Sequence, residues 1–281
     1  MTTVDAHHHF WDPRRSVYPW MTPDLDAIRL PFGPDDLRPL LDAAGIDRSI
    51  LVQTRGLAVE TEEFLATAAA TPFVAGVIGW VDLTAPDVAD AIARLRSLHG
   101  GAKLVAIRHQ VHDEPDAEWL DRPDVHRGIA AVEAAGLPYD LLIRPREMPA
   151  ALRTVAAFPG LRFIVDHIAK PPIADAAMEP WATGIRALAA SDNVTCKLSG
   201  MVTEADWATW KAADLAPFVD VVLEAFGPDR LMYGSDWPVC LLAAPYDRVV
   251  ATARELTAEL TRSERDRVFG GTATEVYSLP E

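Results

Sequence analysis

The stretch Val4-Asp5-Ala6-His7-His8-His9-Phe10-Trp11-Asp12-Pro13 decides the fold. It starts as a short apolar run and ends in three consecutive histidines followed by two aromatic residues. On a β-strand, successive side chains point to opposite faces. His7 and His9 therefore share one face and His8 takes the other. Two imidazoles at i and i+2 on a strand end can converge on one ion or one substrate oxygen. A purification-tag remnant is longer and does not run straight into a strand pattern. His8 is expected to be a hydrogen-bonded core histidine.

Working outward, short apolar and β-branched runs alternate with Ala/Leu/Arg-rich stretches of helical period. The predicted strands are Val4–His9, Ser49–Gln53, Val74–Val81, Leu104–His109, Tyr139–Ile143, Arg162–His167, Val194–Ser199 and Arg230–Ser235. Helices are predicted over Asp35–Ala44, Thr61–Ala70, Pro86–Leu98, Pro123–Ala135, Met148–Phe158, Pro180–Ala190, Ala216–Phe226 and Tyr246–Leu260. Several open on Pro or close on Gly, as helices do. Several strands are almost continuously apolar, which suits a sheet covered on both faces. Eight βα units predict an α/β fold, a (β/α)8 TIM barrel forming a single domain over residues 1–281. A doubly wound open sheet is disfavoured because no Gly-rich turn follows the first strand.

The bulk numbers bound the function. The 281 residues suffice for a large core, and the formal net charge is −15. That charge repels phosphate backbones, which argues against nucleic acid and anionic membranes as partners. No apolar run is long enough to span a bilayer. No signal-peptide order opens the chain, and two cysteines give no disulfide framework. A cytoplasmic protein, monomer or homodimer, is expected.

In such barrels the chemistry sits at the C-terminal ends of the strands. Strand one ends in His7, His8 and His9, strand four in Arg108 and His109, and strand six in Asp166 and His167. Strand five runs into Arg144, strand seven carries Lys197 and Ser199, and strand eight runs into Ser235, Asp236 and Trp237. Asp236, set between an apolar strand and Trp237-Pro238, is a candidate base as well as a candidate turn residue. Trp11, Trp20, Trp80 and Trp237 are candidate walls for a substrate pocket, with Trp11 and Trp237 favoured as ligand contacts. Arg108 can fork onto a carbonyl or hydroxyl pair, or pair with an acidic residue. A buried Lys197 requires a partner, with Asp166 and Asp236 as candidates. Lys170 is placed at a surface or substrate rim. His112, Asp113 and His126 read as surface groups, Cys196 and Cys240 as packing residues. No Gly-x-Ser-x-Gly elbow is present, which disfavours a serine esterase.

The chain resembles the amidohydrolase superfamily, in its branch of sugar-lactone hydrolases that includes L-fuconolactonases and L-rhamnonolactonases. The resemblance runs nearly end to end. It is carried by Asp5-Ala6-His7-His8-His9 with Phe10-Trp11-Asp12-Pro13, Ile107-Arg108-His109, Asp113-Glu114-Pro115-Asp116 and Arg122-Pro123-Asp124-Val125. Asp166-His167-Ile168-Ala169-Lys170-Pro171, Lys197-Leu198-Ser199-Gly200 and Gly234-Ser235-Asp236-Trp237-Pro238-Val239 complete it. It implies that His7 and His9 bind a divalent metal or the substrate carbonyl, and that His167 is the strand-six histidine. It implies that Asp236 activates water. The chain departs from binuclear members, which carry Lys or Glu on strand four and His on strand five; here strand five offers Leu141, Leu142 and Ile143. Ala169 stands where many relatives carry Gly, and Gly271-Thr272-Ala273 where Gly-Asn-Ala is usual.

The expected activity is hydrolysis of a sugar lactone to its aldonic acid. Asp236 and His167 are the catalytic candidates, and His7, His9 and Asp236 the ligands of one divalent ion, with zinc favoured and a metal-free route open. Arg108, His109, Trp11 and Trp237 are the substrate-binding candidates. Two alternatives remain: a metal-dependent decarboxylase on the same barrel, and a barrel that binds a sugar acid without turnover.

Overall fold

Eight short apolar strands form one parallel sheet in the computed structural model, which describes residues 2–280. They are β1 (Val4–His8), β2 (Arg48–Val52), β3 (Val74–Gly79), β4 (Leu104–His109), β5 (Tyr139–Leu141), β6 (Phe163–Val165), β7 (Val194–Leu198) and β8 (Leu231–Tyr233). Each pairs in parallel with the next in chain order. Helices follow the strands: α1 (Pro34–Ala44), α2 (Ala58–Ala70), α3 (Val88–Ser97), α4 (Pro123–Ala134), α5 (Met148–Ala157), α6 (Trp181–Ala189), α7 (Ala212–Phe226) and α8 (Tyr246–Leu256). This is the (β/α)8 barrel that the alternation predicts. Among the described residues, no helix is long and apolar enough to cross a membrane.

β8 meets β1 through a looser seam. The Asp236 amide donates to the His7 carbonyl (2.8 Å) and the His9 amide to the Trp237 carbonyl (2.7 Å). The Asp5 carboxylate accepts from the Ser235 amide (2.8 Å) and the Tyr246 hydroxyl (3.0 Å), fastening β8 and α8 to β1. Gly234 is required at this seam, since a Cβ there would lie 2.6 Å from the His7 Cβ. The barrel interior is packed by residues such as Val4, Ile50, Ile78, Ile164 and Met232. Ala273, Val276, Tyr277 and Leu279 join them and close the floor. A second apolar layer lies between strands and helices.

β5, β6 and β8 are shorter than predicted, and at β6 and β8 the reason locates the site. The polar residues after those two strands leave the ladder to form sharp turns. After β6, four consecutive non-glycine residues are left-handed: His167 (φ 53°), Ile168 (47°), Ala169 (58°) and Lys170 (49°). After β8, Asp236 is left-handed as well (58°). Such conformations cost about 1–3 kcal/mol each for residues with a Cβ, and cluster at functional sites. A left-handed Ala169 also explains why glycine suits that position.

Candidate active site

The site is built on the carboxylate of Asp236. Three imidazoles surround its Oδ1: His9 Nε2 at 3.3 Å, His7 Nε2 at 3.8 Å and His167 Nε2 at 3.8 Å. All four side chains are buried. His9, His167 and Asp236 line the floor of a pocket of about 320 Å³, the small end of the range for ligand pockets, and His7 lies behind them. A single sugar ring suits that size.

Neighbours fix each ring. His9 Nδ1 lies 2.8 Å from the Val52 carbonyl, which can only accept. Nδ1 therefore carries a proton, and Nε2 faces Asp236. His7 is fixed from both sides. Arg108 Nη1, which can only donate, lies 3.2 Å from Nε2. On the other side, Nδ1 lies 3.4 Å from Asp166 Oδ1 and 3.3 Å from the Lys197 ammonium. His167 Nδ1 bonds the Ser199 hydroxyl (2.8 Å). Gly200 makes room for that ring, because a Cβ there would lie 2.5 Å from His167 Nδ1.

The protonation states follow from burial and charge. Burial pushes the His7 imidazole well below its ordinary value; Asp166 opposes this and Lys197 reinforces it. Burial does the same to His167. Burial alone would raise Asp236, but the imidazoles, His167 foremost, hold its carboxyl below the usual range. The result is an ionised Asp236 carboxylate beside neutral His7 and His167, with the Nε2 atoms of His7 and His9 turned toward it.

That arrangement fits a divalent metal. His9 Nε2 faces a carboxylate oxygen 3.3 Å away, and a cation between them can take both as ligands. Bonds of about 2.0–2.1 Å in a tetrahedral site place ligand atoms roughly 3.3 Å apart, close to the observed spacings. His7, His9 and Asp236 bring their ligand atoms within 4.8 Å of one another, as do His7, Asp166 and His167. The chain can hold a divalent metal here.

Other predicted residues fall differently. Arg108 lines the pocket and is also paired with Asp166 (2.9 Å), so both of its readings are realised. Lys170 lines the pocket and pairs with Glu204 (2.6 Å). Arg144 lines it with no carboxylate within salt-bridge reach among the described residues. Three substrate-binding candidates do not face the pocket. Trp11 is buried, with its Nε1 donating to the Ile28 carbonyl (3.1 Å). Trp237 is buried against Phe32, ring centroids 5.3 Å apart. As the neighbour of Asp236, it points away from it. His109 stacks on Trp119 (4.1 Å), accepts from Trp80 Nε1 (2.9 Å) and donates to Glu114 (2.7 Å). It is a strut for the loop after β4. His8 is buried against Phe10 and neither ring nitrogen has a partner, contrary to the hydrogen-bonded histidine expected.

Four residues were misplaced or overlooked. His112 and Asp113 line the pocket instead of the outer surface. Burial first, then Lys170, Arg144 and Arg108, push His112 down to about 3. Asp140, inside the apolar string Tyr139–Ile143, is fully buried and bonds Lys197 (2.6 Å). A charged residue in an apolar strand was the available signal. Glu60, also buried, accepts from the backbone amides of Thr54 (2.7 Å) and Arg55 (2.8 Å). It shapes the loop that brings Thr54 to the pocket.

Comparison with known proteins agrees with this geometry. The chain is 41% identical to an L-fucono-1,5-lactonase of Burkholderia multivorans, covering 99% of this chain and 96% of that protein. It is 40% identical to an L-fucono-1,5-lactonase of Burkholderia ambifaria, covering 98% and 95%. A crystal structure of a Burkholderia multivorans amidohydrolase with bound zinc superposes with a TM-score of 0.94, 40% identity and full coverage of both chains. The amidohydrolase family model matches residues 4–279. By its sequence and its fold, this chain belongs to the amidohydrolase family.

Proposed function

We propose that this chain hydrolyses a sugar lactone to its aldonic acid, with Asp236 as the base and a lactone of the L-fuconate type as substrate. The observation that carries this is one ionised carboxylate, ringed by three imidazoles, on the floor of a pocket sized for a sugar ring. The similarity to L-fucono-1,5-lactonases over nearly the whole chain supports it.

Asp236 takes a proton from water as its oxygen attacks the lactone carbonyl carbon. Arg108, beside His7 in the pocket wall, offsets the negative charge that develops on the carbonyl oxygen. The ring C–O bond then breaks, and Asp236 returns its proton to the departing alkoxide. The carboxylic acid ionises, so each turnover releases one proton. His7, His9 and Asp236, with His167 adjacent, would hold a divalent ion, which supplies Lewis-acid polarisation of the carbonyl. Zinc suits this nitrogen-rich set, and the zinc-bound relative supports that choice.

A lactone panel followed by proton release tests the reading, with L-fucono-1,5-lactone, rhamnonolactone, galactonolactone and arabinonolactone as probes. Turnover of at least one is expected. Release of CO2 from aromatic carboxylates without lactone hydrolysis would move the function to decarboxylation. Thermal stabilisation by the sugar acids with no product would make the barrel a binding protein.

A further inference from the structure

A chain of buried charge runs beneath the site and has no part in the steps above. Tyr277, from the floor of the barrel, donates its hydroxyl to Asp140 (2.9 Å). Asp140 bonds the Lys197 ammonium (2.6 Å). Lys197 pairs with Asp166 Oδ1 (2.9 Å), and that same oxygen faces His7 Nδ1 at 3.4 Å. Asp140, Asp166, Lys197 and His7 are each 0% exposed.

Placing a lysine in a dry barrel centre has a large desolvation cost, which must be offset by its partners. A methionine of similar volume would fill the same space without that cost. The charge therefore calls for a reason beyond packing. Asp166 Oδ1 accepts no aligned hydrogen bond from either Lys197 or His7, so the ammonium holds it by charge alone. That oxygen lies 3.4 Å from His7 Nδ1, and the ammonium itself lies 3.3 Å from the same nitrogen. The other Asp166 oxygen is held by Arg108 Nη1 (2.9 Å), the same nitrogen that donates to His7 Nε2 (3.2 Å). Asp166 is thus clamped between two cations with its free oxygen aimed at His7.

We propose that Lys197 is a positioning residue: its ammonium, anchored by Asp140 and Tyr277, fixes Asp166, and Asp166 fixes the His7 ring with its proton on Nδ1 and its Nε2 lone pair toward Asp236. Carboxylates that accept from the far nitrogen of a metal-binding histidine play this role, and their loss costs about 10- to 100-fold in metal affinity or activity. Here the carboxylate is itself oriented by an internal cation, so the dependence extends one residue deeper, to Lys197.

Lys197→Met and Lys197→Ala test this. Lys197→Met is expected to lower kcat and the affinity for zinc alone by about 10- to 100-fold each, with KM changed far less. Methylammonium should restore activity to Lys197→Ala, which has a cavity for it, and not to Lys197→Met, which does not. Unchanged kcat and zinc affinity in Lys197→Met, or no response of Lys197→Ala to methylammonium, would overturn the proposal. Should neither variant fold, 15N NMR of zinc-free wild-type protein still decides: a His7 proton on Nδ1 is expected, and one on Nε2 contradicts the assignment. The kcat arm rests on the lactonase reading. Zinc affinity and the His7 tautomer do not, so the two can fail separately.

Discussion

His7 belongs to two clusters at once, and they are filled in different ways. Toward the pocket it meets His9, His167 and Asp236, and the ligand atoms of His7, His9 and Asp236 lie within 4.8 Å of one another. Toward the barrel axis it meets Asp166, where the Lys197 ammonium already lies 2.9 Å from the carboxylate and 3.3 Å from His7 Nδ1. The upper cluster is open to a substrate-sized pocket and can take a cation from solution. In the lower cluster the positive charge is covalently part of the chain. Similar acid and imidazole groups therefore serve chemistry in one place and rigidity in the other. What separates them is a single lysine.

The strongest way to break this comparison is to remove histidines one at a time. His7→Ala and His9→Ala should each lower kcat by at least about a hundredfold, the loss typical of removing an electrostatic group aimed at the reacting centre. His8→Ala should retain activity and lose stability, since His8 packs on Phe10 away from the pocket. An inactive His8→Ala beside an active His7→Ala would place the strand one residue out of register.

The lower cluster is probed through stability. Asp140→Ala leaves Lys197 without its shortest partner in a fully buried setting. Breaking one side of such a pair costs about 3–5 kcal/mol. Chemical denaturation should show that loss. A variant as stable as wild type would mean that water or a rearranged side chain compensates the ammonium.

The smallest effect is on acid stability. Burial pushes His8 down from 6.5 to about 3. A histidine whose folded value is depressed adds stability above its unfolded value, and that stability is lost as pH falls toward the folded value. Wild type should therefore lose stability between pH 6.5 and pH 3 more steeply than His8→Leu. The buried His7, His167 and His112 share this direction and remain in the variant, so the slope should be reduced and not abolished. Equal slopes would mean that His8 takes up its proton alike in the folded and unfolded states.

Much of this was legible in the sequence. The eight apolar runs predicted eight strands because burial on both faces leaves little freedom of composition. Strand parity paired His7 with His9 and turned His8 away. Parity also carried the signal for Asp140, but three apolar neighbours masked it. Side-chain direction beyond the strand ends was not readable. Trp11, Trp237 and His109 sit at or beside strand ends and turn into the protein, because loop paths and the left-handed Asp236 set their direction. His112 and Asp113 reach the pocket because the loop after β4 folds back over it, a path fixed by the His109–Glu114 and His109–Trp119 contacts. Those contacts join residues whose partnership no local pattern announces.

The most direct test of the central claim is proton release from L-fucono-1,5-lactone, measured side by side for wild type and Asp236→Asn. The substitution keeps the shape of the side chain and removes its basicity. Wild type should release one proton per lactone consumed, and Asp236→Asn should turn over at least about a hundredfold more slowly. Lactone hydrolysis by Asp236→Asn at the wild-type rate would contradict the account.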